Sequence, residues 1–160
     1  MFRLALYQPD IPQNTGTMLR LAACLGLAVE IIEPAGFDVS DRNFRRAGLD
    51  YLDALKITRH AFWRAFEASR TQRGLRLVLA TTKASLPYTD AAFEPDDLLL
   101  FGRESAGVPD EVHAAAELRI RVPMRPGLRS LNVAVSAAMI LGEALRQTAS
   151  FPRADEAEAA

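Results

Sequence analysis

Six short apolar runs recur along the chain, at about 2–7, 28–33, 54–58, 75–80, 97–101 and 118–122, with stretches of helical periodicity between them. Runs of this length, often β-branched, read as buried strands. The helical patterns fall at about 14–25, 40–47, 60–71 and 109–116, with a last one at 131–147. Strand and helix in alternation leave few arrangements open, because parallel neighbours need a crossover and a helix supplies it. The pattern predicts an α/β fold, a mostly parallel sheet flanked by helices. A chain of 160 residues is enough for one domain, expected over 1–150, and residues 151–160 read as a flexible, solvated tail.

The rest of the composition narrows the setting. Cys24 is the only cysteine, which rules out an internal disulfide and fits a reducing compartment. With one cysteine and two distant histidines there is no metal-ligand cluster, so no metal is expected. The opening MFRLALYQPD lacks the apolar core and cleavage site of a signal peptide. The longest apolar stretch, 131–145, is interrupted by Asn132, Ser136 and Glu143 and is too short and polar to span a membrane. The expectation is a cytoplasmic protein with no membrane partner.

A net charge of −1 conceals an asymmetry. Nine basic and three acidic residues lie between Arg42 and Arg76, against eight acidic residues and Arg103 alone between Asp90 and Glu117. A basic region in a neutral protein can mark a polyanion surface, and scattered arginines on solvated helix faces read equally well.

Three stretches carry the chemistry. The first, DIPQNTGTMLR at 10–20, opens a helix after a strand. Asn14 is expected as its N-cap, Met18, Leu21, Ala22 and Leu25 as its buried stripe, and Gly26 as its stop. Arg20 then falls on the far face with Thr17 and Cys24, where helix geometry alone makes it a solvated arginine. The second, LLLFGRESAGVPDEV at 98–112, is strand, loop and helix. Gly102 and Gly107 have phosphate-loop spacing, but Val108 and Pro109 stand where that motif needs Lys and Ser or Thr. Glu104 lies in this loop, where a glutamate is ordinarily solvated. The third, RIRVPMRPGLRSLNVAVSAAMILGEALRQ at 119–147, ends a strand at Pro123, turns at Pro126 and Gly127, and reads Ser130 as the cap of a helix. That helix is apolar nearly all round, so burial on more than one side is expected, the second cover being a partner subunit. Asn132 is then a polar residue just inside a buried helix, where it is a mediocre former.

Taken in order, NTGTMLR, FGRESAGVP and VPMRPGLRSLNVAVSAAMILGE resemble the three motifs of the SPOUT RNA 2′-O-methyltransferases, and the resemblance covers nearly the whole chain. IIEPAGFDVSDRNFRRAGLDY at 31–51 and TTK at 81–83 resemble in particular the short members that act on nucleotide 34 of tRNA. The resemblance implies a SPOUT fold with a C-terminal deep trefoil knot. It implies S-adenosylmethionine as cofactor, held by Ala80, Thr81, Gly102, Val122, Ser130 and Leu131, and Asn14, Arg20, Glu104 and Asn132 as the functional residues. The apolar C-terminal helix and the outward Arg20 point to a homodimer, and the likeness to the short members implies tRNA, at its anticodon stem-loop, as partner. Ala134 and Val135 depart from the pattern, since close relatives often carry polar residues there.

These residue types suit the reaction. A ribose 2′-hydroxyl must lose its proton as it attacks the methyl of a sulfonium, and in-line positioning supplies much of the acceleration. Arg20 fits an electrostatic role at the developing alkoxide better than that of a base, because a guanidinium stays protonated, although a proton-acceptor role is proposed in the family. The basic 42–76 region, with Arg45 and Arg46 as candidate phosphate contacts, points to tRNA. The rival readings are a ribosomal or other tRNA 2′-hydroxyl, a nucleotide-binding oxidoreductase, and a non-catalytic RNA-binding module. The oxidoreductase is disfavoured because no GxGxxG follows a strand.

Overall fold

The computed structural model describes residues 1–38 and 55–153. In chain order the described elements are β1 (Arg3–Tyr7), α1 (Pro12–Cys24), β2 (Ala28–Ile32), β3 (Ile57–His60), α2 (Trp63–Gln72), β4 (Leu77–Ala80), β5 (Leu86–Pro87), β6 (Leu98–Phe101), α3 (Asp110–Ala115), β7 (Leu118–Arg121) and α4 (Val133–Gln147). A 3₁₀ turn, Tyr88–Asp90, follows β5. The expected helix at 40–47 lies outside the described residues.

All seven strands join one sheet in the order β3-β2-β1-β6-β4-β7-β5, and each neighbouring pair is parallel. Because side chains alternate along a strand, the sheet carries two cores. Leu4 and Leu6 of β1, with Leu99 and Phe101 of β6, face α1 and α4; Ala5, Tyr7, Leu98 and Leu100 face α2 and α3. Both faces are covered, which is why the strands read as continuous apolar runs. β1 lies between β2 and β6, and the helices that follow β1 and β6 lie on opposite faces. The chain therefore leaves the carboxyl ends of these two strands toward opposite faces, which opens a crevice there, as expected where strand order reverses.

The first helix departs from expectation at its start. Ile11 is the N-cap and Pro12 occupies the first turn, so Asn14 is already helical and caps nothing. Pro12 suits that place, since its missing N–H has no partner there in any helix. The far end behaves as read. Gly26, at φ +67°, lets its own N–H reach Ala23 O at 3.2 Å and the Leu27 N–H reach Ala22 O at 2.8 Å. Both bonds belong to a Schellman stop, with Leu27 buried behind it. Leu19 joins the buried stripe, whereas Leu21 and Leu25 are half-buried.

The last helix is corrected at its cap as well. Asn132, not Ser130, caps it: the Asn132 side-chain oxygen accepts from the N–H groups of Ala134 at 2.9 Å and Val135 at 3.3 Å. One side of α4, through Ala134, Ala137, Ile140, Leu141, Ala144 and Leu145, is buried against the sheet and α1. The other is open: Val135 and Met139 are 49% and 39% exposed, with Leu131 just before them at 42%. Within a single chain, burial on more than one side is not what the structure shows.

Candidate active site

A cavity of about 430 Å³ opens at the carboxyl ends of β4, β6 and β7 and reaches the start of α1 and α4. That volume lies in the range of small-molecule sites. Ala80 and Thr81 after β4, Gly102 after β6, and Val122, Ser130 and Leu131 along the loop after β7 all line it. So do Asn14, Glu104 and Asn132. Nine of the ten residues singled out in the sequence meet in one place; Arg20 is the exception, being exposed on α1 and outside the lining.

The loop after β6 is shaped by its glycines. The Arg103 N–H donates to Gly107 O at 3.1 Å and the Gly107 N–H to Arg103 O at 2.8 Å, closing a tight hairpin with Gly107 at φ +64°. The hairpin folds back over Gly102, where a Cβ would stand 2.7 Å from the Gly107 carbonyl carbon and 2.9 Å from its Cα. No side chain fits there, and backbone lines this part of the cleft. A ligand with an adenine and a ribose could be held here by backbone groups, so the lining fits the expected cofactor.

Asn14, Glu104 and Asn132 are linked by direct hydrogen bonds. The Asn132 amide nitrogen donates to Asn14 Oδ1 at 2.8 Å, and the Asn14 amide nitrogen donates to Glu104 Oε1 at 3.2 Å. Since the Asn132 oxygen is committed to the first turn of α4, its nitrogen must face Asn14. The Asn14 oxygen must then face back, which leaves its nitrogen for Glu104. A flip of either amide sets donor against donor, so the network assigns both orientations. The series ends at Glu104, whose oxygens accept from the Asn14 amide and from the Asp10 N–H. The freedom of Asn14 from capping is what allows the link.

Asp10 completes the cluster, although no sequence pattern marks it. Its N–H donates to Glu104 Oε2 at 3.2 Å, while its Oδ1 accepts the Glu104 N–H at 3.0 Å. This reciprocal clasp joins the start of α1 to the loop after β6. The Ser105 hydroxyl also donates to Asp10 Oδ2, and the Arg103 Nε lies 3.6 Å from that oxygen. Hydrogen bonding with the Glu104 carboxyl group, reinforced by Ser105, the Glu104 N–H and Arg103, holds Asp10 down at about 2. Burial, and then Asp10 itself, pushes Glu104 up from its ordinary value. Only the residue types at 104 and 10 hinted at this pairing; their separation in sequence conceals it.

Of the six basic residues of the 42–76 region among the described residues, four are spent within the fold. Arg59 pairs with Glu33, Arg70 with Glu67 and Glu117, Arg73 with Glu30, and Arg76 with Asp97 and Glu94. Arg70, Glu30 and Asp97 are buried, where a charge needs such partners. Arg42, Arg45 and Arg46 lie outside the described residues. Among the described residues no group of three or more His, Cys, Asp or Glu side chains could hold a metal, and no helix is long and apolar enough to cross a membrane.

A parallel sheet with a switch-point cleft, lined by three motif residues that hydrogen bonds link through Asn14, defines a class, and the comparisons agree with it. Residues 1–142 match the SpoU rRNA Methylase family, and the chain belongs to that family. It is 64% identical, over 96% of both chains, to the tRNA (cytidine(34)-2′-O)-methyltransferase of Beijerinckia indica subsp. indica. A structure solved for insight into the 2-OH methylation of C/U34 on tRNA superposes with a TM-score of 0.86 at 40% identity, covering 92% of this chain and 95% of that one. The SpoU methyltransferase AviRb from Streptomyces viridochromogenes, in complex with the cofactor AdoMet, gives 0.81 at 27% identity over 91% of this chain and 59% of its own.

Proposed function

We propose that the protein transfers a methyl group from S-adenosylmethionine to the ribose 2′-hydroxyl of nucleotide 34 of tRNA, a cytidine or modified uridine, in the leucine tRNAs. The observation that carries the reading is the direct bonding of Asn14, Glu104 and Asn132 at one edge of a cleft lined by all six cofactor candidates. The likeness to relatives named for cytidine 34 supplies the position. The cofactor brings an activated methyl group. The chain's own part is to hold it by the backbone around Gly102 and the loop after β7, and to fix the acceptor in line. Asn14, Glu104 and Asn132 set the shape of that edge. Arg20, carried on the outer face of α1, stabilises the negative charge developing on the 2′-oxygen.

The working unit is a homodimer in the cytoplasm that grips the anticodon stem-loop. Ile11, Leu131, Val135 and Met139 form an exposed apolar set at the start of α1 and along α4. A second copy would cover it and bring its own Arg20 towards the neighbouring cleft.

The test is methyl transfer by the purified protein from labelled S-adenosylmethionine to total RNA of a deletion strain, followed by mapping of the ribose methylation. Label at nucleotide 34 of leucine tRNAs is expected. Label confined to ribosomal RNA would overturn the substrate and leave the chemistry standing.

A further inference from the structure

We propose that the loop between β7 and α4 is the part of the protein that grips the RNA backbone, with Arg125 and Arg129 as its phosphate contacts. Residues 118–132, LRIRVPMRPGLRSLN, contain four arginines and no acid. Arg119 is engaged with the His113 carbonyl. Arg121, Arg125 and Arg129 are exposed, and among the described residues none of their side chains pairs with a carboxylate. Four of the five arginines of 59–76 present the opposite picture, since Arg59, Arg70, Arg73 and Arg76 are already neutralised by carboxylates of the fold. A cation held by an internal anion has little left to offer a phosphate, whereas an unpaired one can neutralise a phosphate and release the counterion condensed on the nucleic acid.

The loop also has the shape for the task. The Leu128 N–H donates to Arg125 O at 3.3 Å, with Pro126 and Gly127 between them and Gly127 at φ +88°. Pro then Gly with a positive φ at the second place is a type II turn, which sets its first and fourth Cα atoms within about 7 Å. Arg125 begins the turn and Arg129 follows it, so the two stand on its opposite limbs. Pro126 restrains the tip, and Leu128, 67% exposed, projects from it as an apolar surface for a nucleobase. The same loop lines the cleft through Val122, Met124, Ser130 and Leu131, while Arg125 and Arg129 stay outside the lining. A phosphate held at the turn would place the adjoining ribose at the cleft mouth.

This inference rests on the proposed methyl transfer to tRNA, and one experiment separates the two. The full chain and the double variant Arg125→Ala/Arg129→Ala are titrated with a leucine tRNA transcript across a salt series, alongside calorimetry with S-adenosylmethionine. The double variant should bind tRNA at least about tenfold more weakly at physiological salt. Its slope of log affinity against log salt should be shallower by roughly 0.7 for each contact removed from a single strand. Cofactor affinity should stay within about twofold, which controls for folding. Arg125→Lys/Arg129→Lys should restore most of the slope, and Arg64→Ala, exposed on α2, should leave it unchanged. An unaltered slope in the double alanine variant, or an equal loss in Arg64→Ala, would overturn the assignment of this loop. If instead the unmodified protein transfers no methyl group to tRNA, the functional reading itself fails.

Discussion

Asn132 performs two tasks that substitution can separate. Its oxygen caps α4 and its nitrogen orients Asn14. Asn132→Ala removes both. Loss of the cap costs about 1 kcal/mol and loss of one partly exposed hydrogen bond about 0.5–1.5 kcal/mol, so roughly 1.5–2.5 kcal/mol in all. For a domain of this size that lowers Tm by roughly 3–10 °C. Asn132→Ser retains a capping oxygen and loses only the donor to Asn14, so its Tm should fall by about 1–6 °C. If the orientation of Asn14 matters to catalysis, both variants should lose turnover alike, by roughly ten- to a hundredfold, the equivalent of 1.4–2.7 kcal/mol in the barrier. The assay pairs thermal melts with single-turnover methyl transfer at saturating cofactor. A serine variant with full turnover would refute the argument, because the cap alone would then account for Asn132. Turnover that fell only in proportion to Tm would do the same.

Other outcomes follow from the same geometry. Gly102→Ala forces a Cβ to 2.7 Å from the Gly107 backbone; calorimetry should show cofactor affinity reduced roughly tenfold to a hundredfold, the effect of overpacking by 1–3 kcal/mol. Arg20→Ala should bind cofactor normally yet lose methyl transfer by roughly 10²–10³-fold, and parallel loss of cofactor binding would reassign the residue to the cleft. Val135→Glu with Met139→Glu should convert a dimer into a monomer in sedimentation, and a compact monomer for the unmodified chain would remove the dimer altogether. Asp10 is held at about 2 against an ordinary 3.8, so between those values the folded state binds fewer protons than the unfolded one. Its contribution is therefore complete above about pH 4 and lost as pH falls through 2. Glu104, shifted upward, acts in the opposite sense, its contribution fading as pH rises through its folded value. Urea midpoints from pH 2 to 5 should fall less steeply in Asp10→Asn, and identical profiles would dismiss the clasp as a source of acid sensitivity.

Periodicity located every described helix and six of the seven strands because each buries a stripe or run long enough to leave a pattern. β5 escaped it: Leu86–Pro87 is two residues long and ends in a proline, which resembles a loop. Cap assignment failed at both ends of the site for one reason. Local preference made Asn14 and Ser130 good caps, whereas the fold needed Asn14 for Glu104 and drew the cap from Asn132 instead. The motifs, recognised as a family pattern, brought together nine of ten residues at one cleft. Asp10 was invisible because its partner lies 94 positions away. The charge count marks 42–76, but a sequence does not show which arginines meet a carboxylate: Arg59, Arg70, Arg73 and Arg76 do, and Arg42, Arg45 and Arg46 lie outside the described residues.

The bond between Asn14 and Asn132 closes across 118 positions, and α1 packs beside α4. A contact that distant is among the last to form, since the intervening chain must be gathered before the closure entropy is repaid. On a ribosome the amino-terminal strands can begin pairing early, yet the edge of the cleft is missing until the carboxyl-terminal helix has emerged and docked. A ligand of the completed cleft acts only on molecules that have reached that stage, and there it adds stability as RT ln(1 + [L]/Kd). Cofactor supply would then act as a late checkpoint in biogenesis, protecting finished chains from proteolysis and leaving half-made ones exposed.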